Sequence, residues 1–474
     1  MTGRALALVA VLLPAAASAQ GDGTGSIAGY VFDLAGNPLA GVTVRISSPT
    51  QIGERRATTT RSDGSFRLAG LAPGVFALDA SAPRMATYHQ VGIHVGLGTA
   101  EVFAILGPDN MDMGGPIVES GSIIRADTAR VTGIFESDYV ETLPLRSREG
   151  VHLQLVDEVP GGIDGRIRGG RARQTLFLQD GFELDSQPAA KAAAAFEVGL
   201  GGYGAEGVDA PGGVLNLVTR SGSNHLEAEL EASTEGGRDG SGFHHVLAPL
   251  VAGRILKNRL WFMATDELHF IEEATGTELR RRFVHKGTLK LTWQPSTRHR
   301  LASITDVELP DWQHEVTPGT ESEVRHHQAR RLFTGLIHDA LLTDDLSLRT
   351  QVGLLRARDD DDRVGVQGSS SLRWFILHPR FGKHDLSLRE RLLTEAARDE
   401  LGTAHLFRHT VAVADAWKPT LHLTVIPSLA HAFVRAWNIR GDRPIDRQAL
   451  APGLGLAWDP THDGRTILRA SHGQ

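Results

Sequence analysis

The chain has 474 residues, a formal net charge of -7, 53 glycines, 6% aromatic residues and no cysteine. That length exceeds one ordinary domain of about 150 residues. The missing thiols exclude a disulfide framework and Cys-ligated zinc or iron–sulfur sites. The mild acidity offers no basic footprint for nucleic acid.

Residues 1–19 read as a secretory signal. Arg4 supplies the positive n-region, Ala5 to Leu13 the apolar h-region, and Ala17-Ser18-Ala19 an A-x-A site with cleavage before Gln20. The apolar run falls short of the roughly 20 residues that a spanning helix needs. No later segment is an uninterrupted apolar run of that length. A membrane crossing would therefore need a closed barrel, which pairs every backbone group in lipid. A chain without Cys also suits an oxidising periplasm, where it cannot mispair.

Residues 24–107 form a separate unit. Ser26 to Phe32 is a strand, Ala35-Gly36-Asn37-Pro38 a turn, and Val42 to Ile46 alternates with period two. Ser62-Asp63-Gly64-Ser65 is a second turn before Phe66-Arg67-Leu68, and Leu71 to Gly74 leads into Phe76-Ala77-Leu78. Short strands at this spacing predict a small β-sandwich. The segments GSIAGYVFDLAGNPLAGVTV and TTTRSDGSFRLAGLAPGVFAL resemble the carboxypeptidase regulatory-like domain, an accessory module that often precedes the plug in one group of TonB-dependent receptors. Carbohydrate binding would follow from that fold by analogy alone. His89 and His94 have no Glu between them and read as strand or loop histidines, not as peptidase ligands.

Residues 108–124 form a linker rich in Gly, Asp and Met. In residues 161–224, Arg168-Gly169-Gly170-Arg171 turns the chain, because Gly reaches positive φ without a Cβ clash. Thr175 to Leu178 is a short apolar strand ending at Asp180-Gly181, a strong hairpin signal. Further on, Gly204 and Gly212-Gly213 precede the strand Val214 to Thr219. IRGGRARQTLFLQDGFEL resembles the RGG…QNLYLVDG segment in the plug of TonB-dependent outer-membrane receptors. GGYGAEGVDAPGGVLNLVTRSGSN is similar to the closing plug segment GGFGAEYGNAQGGVVNVVTKSGSN. Both occur in the family's order. VETLPLRSREGVHLQLVDEVPGG resembles the plug's opening, which places an α+β plug at 125–224 and favours a short helix over Arg148 to Val156. The Ala-rich run from Lys191 to Ala195 is expected to start or extend another helix. The family's TonB box has its nearest counterpart at Pro116 to Ser120, a poor match, so Ile117, Val118 and Glu119 are the candidate TonB-contact segment. Such a segment would add as a strand to a partner's sheet edge.

Residues 225–474 change to alternating strands. Leu289, Leu291 and Trp293 share one face, with Thr288, Lys290 and Thr292 on the other. Leu346, Leu348, Val352 and Leu354 alternate with Ser347, Arg349, Gln351 and Gly353, and Leu421, Leu423 and Val425 with His422 and Thr424. Apolar-out, polar-in alternation is the signal of a transmembrane antiparallel β-barrel. A soluble sandwich alternates too, and the preceding plug resemblance favours the barrel. Trp261, Phe262, Trp293, Trp374, Phe375, Trp417 and Trp437 are candidate interface aromatics. VADAWKPTLHLTVIPSLAHAF and LAPGLGLAWDPTHDGRTILRASHG resemble further barrel stretches of the family. About 10 to 12 strands fit, against about 22 in a complete TonB-type transporter. The sequence therefore reads as a partial barrel: a truncated product, a fragmentary gene or a degenerate member.

Asp359 to Asp362 reads as a solvated loop tip and His326-His327 as part of a charged loop, while His244-His245 has no partner at metal-ligand spacing. No nucleophile elbow, Walker loop or dinucleotide fingerprint is present. The chain as a whole reads as mainly β and as no enzyme, with no cofactor or metal expected. The resemblance implies an outer-membrane receptor that takes up a scarce nutrient and partners TonB and outer-membrane lipid. Arg168, Gly169, Gly170, Asp180, Gly181, Gly204, Gly212 and Gly213 would then shape or gate the plug. A binding or adhesion protein that has lost transport is the alternative, followed by a peptidase-associated secreted protein.

Overall fold

The computed structural model describes residues 25–48, 56–71, 74–95, 99–109, 131–136, 175–184, 188–200, 213–236, 242–275, 278–316, 323–358, 361–378, 381–420, 422–461 and 466–473. The signal, the linker with Ile117 to Glu119, the Arg148 to Val156 segment, and Arg168, Gly169, Gly170, Gly204 and Gly212 lie outside them.

The first unit has seven strands: β1 (Gly25–Asp33), β2 (Thr43–Ser47), β3 (Arg56–Thr59), β4 (Ser65–Leu71), β5 (Gly74–Ser81), β6 (Tyr88–Val95) and β7 (Thr99–Leu106). They form two sheets, ordered β4-β1-β7 and β3-β2-β5-β6. Alternation decides which side chains meet between the sheets. Val44 and Ile46 are buried while Arg45 between them is exposed. Ile27, Val31, Phe66, Leu68, Phe76 and Leu78 complete this core, each worth about 1.5–3 kcal/mol on burial. The Asp33 carboxylate accepts from Ala35 N and Asn37 N at 2.8 Å and closes the first turn. At the second turn Gly64 has φ 76°, and a Cβ there would sit 2.6 Å from the Val31 carbonyl. The sequence expectation of a sandwich with these two turns holds.

The second unit is a five-stranded sheet from β8 (Val131–Glu136), β9 (Thr175–Gln179), β10 (Phe182–Glu183), β11 (Ala193–Leu200) and β12 (Gly213–Thr219), ordered β10-β9-β12-β11-β8. The Ala-rich run corrects one expectation. Ala190–Ala192 makes a single 3₁₀ turn and the chain then enters β11, so no helix starts there. Helix propensity is a weak prior. Here two β partners, β12 and β8, override it.

The third unit is a 15-stranded antiparallel sheet. Its strands are β13 (Glu227–Gly236), β14 (Gly242–Leu256), β15 (Leu260–Thr275), β16 (Glu278–Ser296), β17 (His299–Val316), β18 (Glu323–Gln328), β19 (Arg330–Leu341), β20 (Leu346–Arg358), β21 (Asp362–His378), β22 (Gly382–Arg398), β23 (Thr403–Asp415), β24 (Trp417–Thr420), β25 (Leu423–Trp437), β26 (Ile445–Trp458) and β27 (Leu468–Gly473). Neighbours in sequence are neighbours in space, with β18 and β24 off the main path. More strands fit than the 10 to 12 expected because the turns are short; residues 297–298 alone join β16 to β17. Among the described residues β13 pairs only with β14, and β27 only with β26.

The two faces of this wall differ as the alternation predicts. Leu289, Leu291 and Trp293 are 44%, 37% and 48% exposed, while Thr288, Lys290 and Thr292 between them are buried. Val352 and Leu354 are exposed and Arg349 and Gln351 buried. The inner sheet lies against this polar face. Two of the expected interface aromatics point inward instead. Trp261 is fully buried and donates from Nε1 to Asn224 Oδ1 at 3.1 Å, and Phe375 packs under the Arg67 guanidinium of the sandwich. Among the described residues no helix is long and apolar enough to cross a membrane.

The sandwich meets the wall at the end that carries the turns before β17, β20 and β22. Arg61 Nη2 donates to both oxygens of Asp345 at 2.6 and 2.8 Å. Glu101 pairs with Lys418 at 2.7 Å and Lys383 at 3.6 Å, and the Lys383 ammonium sits 4.5 Å over the Tyr30 ring.

Candidate functional site

The tip of the β9–β10 hairpin engages the wall. Asp180 and Gly181 have φ 47° and 93°, the two positive values that a tight two-residue hairpin turn demands. Asp180 tolerates this because its carboxylate is held from several sides. It accepts from Thr219 N at 3.0 Å, from Thr219 Oγ1, and from Lys290 Nζ at 3.0 Å. Its carbonyl accepts from Arg349 Nη2 at 2.9 Å and Gln351 Nε2 at 2.7 Å. Asp180 is thus tied at once to β12, β16 and β20. Burial alone would raise its carboxyl pKa, yet the Lys290 ammonium and the Thr219 donors outweigh it and hold the group below the usual carboxylate range. Beside it, Gln179 Nε2 and Thr288 Oγ1 both donate to Asp306 Oδ1, at 3.2 and 2.6 Å.

The next two residues lock the hairpin laterally. Phe182 enters an apolar socket of Ala302, Ile304, Phe333 and Ile337, edge-on to the Phe333 ring with centroids 5.2 Å apart. Gly335 makes the floor of that socket, and a Cβ on it would lie 2.5 Å from the Phe182 ring. Glu183 donates its N–H to Gln367 Oε1 and accepts Gln367 Nε2 at its carbonyl, both at 2.9 Å. A side-chain amide so completes the free edge of β10. The Glu183 carboxylate pairs with Arg408. A second anchor lies at Lys191, whose N–H donates to Glu267 Oε1 at 2.7 Å and whose ammonium pairs with Glu229 at 2.8 Å and Glu231 at 3.5 Å.

Of the residues singled out in the sequence, Asp180 and Gly181 stand in the hairpin and Gly213 opens β12, whose Val214 to Leu217 pair β9 in parallel. Lys290, Arg349, Gln351, Phe182, Gly335, Lys191 and Arg408 were missed as site residues. The signal available for three of them was the polar face of an alternating strand, which marks Lys290, Arg349 and Gln351 as inward but names no partner. Among the described residues no cluster of His, Asp and Glu could hold a metal. His244 stands against His269, with Nε2 and Nδ1 3.1 Å apart.

Residues 26–105 match the family model of the carboxypeptidase regulatory-like domain. No curated protein sequence matches the chain. Among solved structures, the siderophore receptor PirA from Pseudomonas aeruginosa superposes with a TM-score of 0.56 at 16% identity, over 72% of this chain and 63% of that one. The ferric enterobactin receptor PfeA from Pseudomonas aeruginosa gives 0.58 at 13%, over 74% and 63%. The ferric citrate transporter FecA gives 0.56 at 13%, over 75% and 65%. The fold is that of TonB-dependent receptors. The chain spans less than two thirds of the length of each of these three, and the likeness concerns fold alone. Among the described residues, the Asp180 hairpin ties the inner sheet to the wall through β16 and β20.

Proposed function

We propose that the chain is an outer-membrane TonB-dependent receptor that takes up a scarce nutrient, with residues 125–224 as the plug and 225–474 as barrel wall. The observation that carries this reading is the Asp180–Glu183 hairpin, docked on the polar face of a wall whose other face is apolar. That arrangement suits a gate inside a lipid-embedded sheet. The solved receptors of the same fold are named for siderophore, ferric enterobactin and ferric citrate, so a ferric chelate is the ligand class to test first. TonB would engage the segment around Ile117, Val118 and Glu119 and pull on the plug. Asp180, Gly181 and Gly213, with Arg168, Gly169, Gly170, Gly204 and Gly212, act in gating or shape, not in catalysis. The experiment is uptake of radioiron chelates by cells expressing the chain with and without TonB, alongside membrane fractionation. Uptake that needs TonB supports the reading; absence of the protein from the outer-membrane fraction sinks it.

A second reading is an outer-membrane binding protein without transport, favoured by the poor match of Pro116 to Ser120 to a TonB box. Chelate binding at the cell surface without TonB-dependent accumulation would favour it.

A further inference from the structure

We propose that the junction between the sandwich and the wall is a binding site for a small oxyanion of the phosphate type. The cavity, about 60 Å³, lies between Arg56, Gly70 and Leu71 of the sandwich and the ends of β17, β19, β20 and β21. Five guanidinium groups line it, from Arg56, Arg298, Arg300, Arg349 and Arg373, and Asp339 is the one carboxylate in the lining.

The countercharge is insufficient. Arg300 and Arg349 share Asp339, at 3.4 and 3.1 Å. Arg373 is engaged by Asp385 outside the cavity. Arg298 pairs with the exposed Asp344 at 3.8 Å and donates from Nη1 to the Leu342 carbonyl, a neutral acceptor, at 3.4 Å. Arg56 donates from Nη1 to the carbonyls of Ala69 and Gly70, at 2.6 and 3.3 Å, which are neutral acceptors. Burial, with the Arg300 cation beside it, pushes the Arg56 guanidinium down to about 10.

Donors are also left over. Arg349 Nε and Ser371 Oγ are buried with no hydrogen-bond partner among the described residues, and these residues are 4% and 7% exposed. Each such group is destabilising while it is desolvated and unmet. A tetrahedral oxyanion presents several acceptor oxygens in a small volume. It meets guanidinium forks with short charge-assisted bonds and would satisfy the leftover hydroxyl as well. The cage has walls from two units, so only the docked arrangement forms it. An anion that binds the docked state alone stabilises that state in proportion to its concentration. The site would therefore couple anion level to the seating of the sandwich.

The test is calorimetric titration of the purified full chain with inorganic phosphate at low salt, in nanodiscs of zwitterionic lipid and in nanodiscs containing phosphatidylglycerol. Saturable binding is expected, weakened about tenfold or more in Arg56→Gln and severalfold in Ser371→Ala, which removes one oxygen and leaves the fold intact. Arg45→Gln, on the exposed side of β2, should bind as the parent does. Binding in both lipids assigns the site to a free anion; binding lost only in phosphatidylglycerol assigns it to an anionic headgroup that occupies the same cage. No saturable binding in zwitterionic nanodiscs, or equal affinity in parent, Arg56→Gln and Ser371→Ala, overturns the proposal.

Discussion

Two seams join smaller units to the same wall, and they are built differently. Around the Asp180 hairpin, charges are buried, matched and backed by the Phe182 socket. Along the sandwich the pairs are more accessible: Arg61 and Asp345 are 36% and 33% exposed, and Glu101 is 26% exposed beside Lys418 at 11%. Buried matched pairs fail badly when one partner is removed, whereas exposed pairs contribute little. The first seam is therefore a specific lock and the second a loose attachment that salt or a ligand can tune.

Removing one side of the lock should have the largest effect. Lys290→Ala leaves the Asp180 carboxylate buried without its cation, and we expect docking of the inner sheet to weaken by about 3–5 kcal/mol, read as lost hydrogen-exchange protection in β9 and β12. The double variant Asp180→Asn with Lys290→Met should recover much of that protection. If the single variant protects like the parent, the lock is misassigned. Next comes Gly335→Ala, whose new methyl meets the Phe182 ring; overpacking of this kind costs about 1–3 kcal/mol, and Phe182→Leu in the same chain should relieve part of it. Acid is a milder probe. The depressed carboxyl of Asp180 contributes stability that is present above the ordinary carboxylate range and is lost as pH falls through its lowered value. Protection of β9 should hold at neutral pH and decline only in strongly acidic buffer. Arg61→Ala should change docking of the sandwich by less than about 1 kcal/mol, and 0.5 M salt should mimic it. A larger effect would mean that the two seams are alike.

Much of this architecture was legible in the residues. Asp180-Gly181 announces its own turn, because few dipeptides tolerate two positive φ values in succession. Leu289, Leu291 and Trp293 against Thr288, Lys290 and Thr292 separate the two faces of a strand with no further information. What alternation cannot supply is a partner. Lys290 meets a carboxylate 110 positions away, and nothing local to either residue specifies that pairing. Trp261 shows the opposite failure: an aromatic beside Phe262 reads as a membrane anchor, yet its indole N–H is satisfied inside the wall by Asn224. The Lys191 to Ala195 run departs from its helix expectation for a third reason, since its conformation is set by β8 and β12 and not by its own preference.

The bond between Gln367 and Glu183 has an evolutionary corollary. Gln367 recognises only the backbone N–H and C=O of its partner, so that particular contact is indifferent to which side chain stands at position 183. Substitutions there can accumulate without erasing the amide pair, provided the residue is not proline. Position 367 has no such latitude, because even Glu would trade a donor for a second acceptor facing a carbonyl. Mutational tolerance across this contact should accordingly be lopsided, wide on the hairpin and narrow on the wall.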